Sequence, residues 1–154
     1  MTHHGTSRRG AVKAARHKPR TREQLLPLPA TRIRALSLEY HMALVVMRAG
    51  QGNLDIVACL VRIVCLAYLM EAMVRGHGTP KPYRAAEAIL EESAARARHG
   101  ESWCLRDEEA VVIERILAVH DAQLASMPSY FYDDALTRLQ HFVGKERRSP
   151  IPGE

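Results

Sequence analysis

A chain of 154 residues, 47% apolar but only 5% aromatic, fits one globular domain with tails and a core of Ala, Leu, Val, Ile and Met. Three cysteines make no disulfide framework and fit a reducing compartment, and the basic start runs into prolines and charges rather than into the apolar segment of a secretion signal. The net charge of +5 is uneven: residues 1–22 hold seven Lys or Arg and no acid, whereas residues 23–154 hold 15 basic and 17 acidic residues.

Residues 1–22 are small, polar and basic without apolar periodicity, which predicts a disordered tail. Arg8, Arg9, Lys13, Arg16, Lys18, Arg20 and Arg22 are the candidate nucleic-acid contacts. Flexible cations bind phosphates by releasing counterions and read no sequence. The alternative is a solvated, solubilising tail. Arg outnumbers Lys 18 to 4, a bias that suits phosphate but that GC-rich coding also produces. The tail has no aromatic residue, so stacking on single-stranded bases is not its expected mode.

Residues 23–29 contain Leu25-Leu26-Pro27-Leu28-Pro29, and the two prolines predict an extended arm along the body. The helical domain follows over 30–144. Its first helix is expected from Ala30 to Ala49, with Ile33, Leu36, Tyr40, Ala43 or Leu44, and Met47 inward, Thr31 as cap and Gly50 as a left-handed stop. Asn53 should cap a second helix that reaches Arg75 before Gly76. Arg62 and Glu71 are the only charges between Ile56 and Val74. The length suits a membrane span, but a mid-span arginine is costly in lipid, so a central helix packed on nearly all sides is expected.

The third helix should start near Pro82 and end at His99-Gly100, with Tyr83, Ala86, Leu90, Ala94 and Ala97 as its stripe and Glu92–Arg96 as a surface pair. The fourth should start near Asp107, with acids in its first turn and Ile113, Ile116, Leu117, His120 and Leu124 inward. A shorter fifth helix is expected over Ser129 to Val143, burying Tyr132, Leu136, Leu139 and Val143. Residues 145–154 read as a loose basic tail. The fold class is thus all-α, a compact bundle of four longer helices plus a shorter fifth.

No catalytic or metal-binding motif is present. Cys59 and Cys65 lie six apart, about 240° around a helix, and do not converge. There is no phosphate loop, and Gly50-Gln51-Gly52 does not follow a strand. His120 on an apolar stripe suits a general base or pH switch, or a core-edge histidine bonded to backbone or solvent. Arg62 marks a pocket, or packs its stem while its head reaches a carboxylate or the surface. Trp103 is an interface anchor or a cap on the core. Tyr130 or Phe131 must expose a ring, because neighbouring helical residues diverge by about 100°.

Ala43-Leu44, Gly50-Gln51-Gly52-Asn53 and Ile56-Val57-Ala58-Cys59-Leu60 resemble the start of the helix-turn-helix of Fis-type transcriptional regulators. The arm and this helix pair are also similar to small bacterial proteins that carry that family label. In the family pattern a recognition helix with basic and hydroxyl residues follows, whereas Val61 to Val74 here continues as one apolar helix. The resemblance implies a DNA-linked role without a reading head. The expectation is a small bacterial, cytoplasmic, non-enzymatic accessory or regulatory protein without cofactor or membrane association. It would contact DNA non-specifically through its tail, or dock on a protein partner through its helical body.

Overall fold

The computed structural model describes residues 18–144 and 149–153. Arg8, Arg9, Lys13, Arg16 and the cluster Lys145-Glu146-Arg147-Arg148 lie outside the described residues. The fold is all-α: α1 (Ala30–Arg48), α2 (Leu54–Arg75), α3 (Pro80–Arg98), α4 (Asp107–Ser126) and the shorter α5 (Ser129–Gly144). α2 is the axis. α1, α3, α4 and α5 all pack on it, α1 and α3 also pack on α4, and α5 also packs on the N-terminal arm.

Local chemistry sets the helix limits. Asn53 Oδ1 accepts the Ile56 N–H at 2.9 Å and caps α2, and Gly76 closes it at φ 74, where a side chain would be strained. Thr31 does not cap α1. The helix starts one residue earlier, behind Pro29, and Gly50 follows its end at φ 70. α3 starts at Pro80 rather than near Pro82. Its first turn tolerates both prolines because those N–H groups have no partner inside the helix. Glu109 caps α4, its carboxylate accepting the Arg106 N–H at 2.8 Å.

From Ile63 to Met70 every residue of α2 is buried, so the middle of the helix is enclosed on all sides. Met47, Leu60, Leu66, Leu90, Ile113 and Leu117 fill the centre. The loop after α3 is tied to the α1–α2 turn by Gly52 N–H to Trp103 O (3.1 Å) and Leu105 N–H to Met47 O (3.1 Å). Gly52 is required there, because a Cβ would meet the Met47 sulfur and stand 2.8 Å from Trp103 O. Arg96 braces the same loop. Its guanidinium grips Glu109 with two bonds (2.9 and 2.7 Å) and reaches Cys104 O at 3.4 Å, while the foreseen Glu92 contact is looser at 3.5 Å.

The described residues near each end, 18–29 and 149–153, pack on the body. The arm contains a short 3-10 turn, Glu23–Leu25, stabilised by reciprocal Thr21–Gln24 bonds. Leu28 anchors the arm in the core, and Leu26 O accepts the Ser129 N–H at 2.7 Å, satisfying a free donor at the start of α5. At the other end Ile151 is buried, so residues 149–153 are docked rather than loose.

Candidate functional site

α3 and α5 each lie against α2 but make no substantial contact with each other. The gap between them is an open groove of about 820 Å³ over the N-terminal half of α2. Val57, Ala58, Val61 and Cys65 contribute to its floor, Leu90 and Ala94 to the α3 wall, and Leu136 and Leu139 to the α5 wall. The floor from Leu54 to Cys65 spans 11 helical rises, about 16 Å.

The groove corrects the reading of α5. Tyr132 is buried as expected, but Leu136 and Leu139 are only half-buried and Val143 is 73% exposed. The apolar spacing holds, but among the described residues the C-terminal half of α5 is covered only on its α2 side, because α3 and α5 make no substantial contact. Leu54, which also lines the groove, is 61% exposed. These rims leave aliphatic surface in water, which is unfavourable by about 25 cal/mol per Å² until something covers it.

Charge appears only at the groove edges, as Arg62, Arg98 and Glu91. Arg62 and Arg98 are exposed and, like Arg22, Arg32, Arg34, Arg106, Arg115 and Arg138, form no ion pair among the described residues. Of the two expected destinations for the Arg62 head, a carboxylate or the surface, it takes the surface. Cys65 lines the groove, but burial pushes its thiol up to about 12, so it carries almost no thiolate near neutrality.

The other singled-out residues fall elsewhere. His120 is fully buried, deeper than the core edge expected of it. Its Nδ1 meets Gln123 Oε1 at 3.2 Å, and its Nε2 has no hydrogen-bond partner. The ring sits between Tyr40 and Tyr132, with centroids at 5.7 and 6.3 Å. Burial holds its pKa below the ordinary imidazole value, against the weaker opposing pull of Gln123 and Asp121. With no route to solvent it is a core group, not a general base facing a substrate. Trp103 is half-buried against the core and seals the loop behind Gly52. Phe131 packs partly on the core, and Tyr130 stacks on it at 4.3 Å.

The described tail residues divide. Lys18 and Arg22 are exposed. Arg20 is held on the body, with its guanidinium 3.4 Å from the Tyr130 ring centroid and 3.2 Å from Asp134. Arg20 thereby covers the ring that sequence reasoning offered as a partner surface. Asp133 and Asp134 line the cleft where Lys18 and Arg20 meet the body, so the tail root rests on an acidic face.

Among the described residues no group of three or more His, Cys, Asp or Glu converges as a metal site. By length and composition α2 alone of the described helices could cross a membrane; here its buried half is the core of the bundle. No family model, curated protein or solved structure matches the chain. The sequence signals for the groove are Arg62, read as marking a pocket, and an α2 too apolar at Ala58 and Val61 for a solvated face; the walls from α3 and α5 had no signal.

Proposed function

We propose that this is a small non-enzymatic accessory protein that works by docking a protein partner into the α2–α3–α5 groove. The observation that carries the reading is the apolar face of α5. Leu136, Leu139 and Val143 keep helical core spacing, yet among the described residues Leu136 and Leu139 pack only partly on the core and Val143 stays exposed. The groove volume falls in the range of ligand sites, but its edges stay open along its length, as suits a segment of another chain.

Contact with DNA through the basic N-terminal segment is the second reading, and the same bacterial, cytoplasmic setting suits both. Lys18 and Arg22 are free to meet phosphates, and Arg20 fixes the point from which the segment leaves the body. Against DNA as the main activity, the tail root lies beside Asp133 and Asp134 instead of a basic face. The Fis-like helix pair offers no reading head, since Ile63 to Met70, where a recognition helix would follow, is interior.

Photo-crosslinking in the native host tests the docking reading. A photoreactive residue replacing Gln140 at the groove should give a discrete protein adduct, and one replacing the exposed Glu114 on α4 should not. Equal adducts from both sites, or none from Gln140, would count against the groove.

A further inference from the structure

We propose that the occupant of the groove is an amphipathic α-helix of a partner, apolar along one stripe, with carboxylates at its edges that pair with Arg62 and Arg98. This rests on the docking reading and specifies its partner. The slot is bounded by three helices, and its floor matches about three turns of a fourth. Ala58 on the floor and Ala94 on the wall are small enough to admit another helix at close range, while Val61, Leu136 and Leu139 stand beside them as larger contacts. A ridge of Leu-sized side chains at three- and four-residue spacing fills such a slot.

Charge sets the pattern at the edges. Arg62 and Arg98 lack ion-pair partners among the described residues, and so does Glu91. Glu91 and Arg98 lie seven residues apart on α3, about 10 Å along the axis. The complementary helix therefore carries an acid opposite Arg98, a base two turns away opposite Glu91, and a second acid on its other edge facing Arg62. A nucleic acid has no apolar stripe to fill the floor. A single aliphatic acid would satisfy one arginine but leave the long rims at Leu54 and Val143 in water. The chain does hold an apolar stripe of its own, Leu38, Met42 and Val45 on the outer face of α1, so a second copy is the competing occupant.

Two synthetic helical peptides of about 18 residues separate these cases, with the same Leu/Ala stripe and either the acid–base–acid edges above or the opposite charges. Binding to the full chain is read by fluorescence anisotropy, with light scattering on the protein alone. The first peptide should bind at least about tenfold tighter than the second, a difference near 1.4 kcal/mol. The double substitution Arg62→Glu with Arg98→Glu should reverse the order, and Ala58→Arg, at an exposed floor position, should abolish both. Equal binding of both peptides, lost with Ala58→Arg, would overturn the charge assignment while leaving helix docking intact. If neither peptide binds and calorimetry detects decanoate binding that Ala58→Arg abolishes, the helical occupant is wrong. Self-association that Met42→Glu disperses would instead assign the groove to a second copy.

Discussion

His120 should make this protein lose stability in mild acid. In the folded chain its ring is sealed between Tyr40 of α1 and Tyr132 of α5, with Gln123 of α4 on one nitrogen, while Gln123 in turn donates to Ala67 O of α2 at 2.9 Å. Asp121 is the one charged group that opposes the effect of burial. The folded pKa lies below that of the unfolded chain, so the unfolded state takes up the proton first as pH falls. Stability is fully present above the unfolded value of about 6.5 and is lost below it, approaching 1.4 kcal/mol per pH unit until the folded ring also protonates. Urea midpoints at pH 7.5, 6.5 and 5.5 read this directly, with His120→Gln as the non-titrating control. The wild-type midpoint should fall across the last interval by more than that of the variant. Parallel slopes for the two proteins would refute the reasoning, as would a wild type that gains stability in acid.

Three further outcomes are expected. Leu60→Ala and Leu66→Ala, at sites with no exposed surface, should each cost about 2–5 kcal/mol in denaturant unfolding. Arg96→Met strands the largely buried Glu109 carboxylate and should cost about 3 kcal/mol, whereas Val143→Arg at the exposed rim should cost almost nothing. The full chain should bind duplex DNA weakly and without sequence preference. Removal of residues 1–17 should abolish gel-shift binding with an unchanged helical circular dichroism spectrum, and binding of the full chain should weaken with salt at a logarithmic slope of about −0.9 per phosphate. The truncation stops before Arg20 because that residue is tied to Tyr130 and Asp134.

Helices were legible because apolar residues recur at three- and four-residue spacing and the breaks fall at Gly50, Gly76 and Gly100. The stripe on α4 was read residue by residue, and Ile113, Ile116, Leu117, His120 and Leu124 are all buried. What periodicity cannot carry is which face meets which. The spacing of Leu136, Leu139 and Val143 is the same whether a helix of this chain or of another covers them. Arg62 illustrates the same limit, since an arginine in an apolar run fits a buried pair and a groove edge equally well. Ile151 was missed because one apolar residue between two prolines has no period at all.

The most direct test of the docking account compares the Gln140 crosslink in three backgrounds: the full chain, the chain without residues 1–17, and the full chain carrying Ala58→Arg. The account predicts that the adduct survives loss of the N-terminal segment, disappears with Ala58→Arg, and maps by mass spectrometry to an amphipathic helical segment of the partner. An adduct that vanishes with residues 1–17 and persists with Ala58→Arg would contradict it and place the activity in the basic segment.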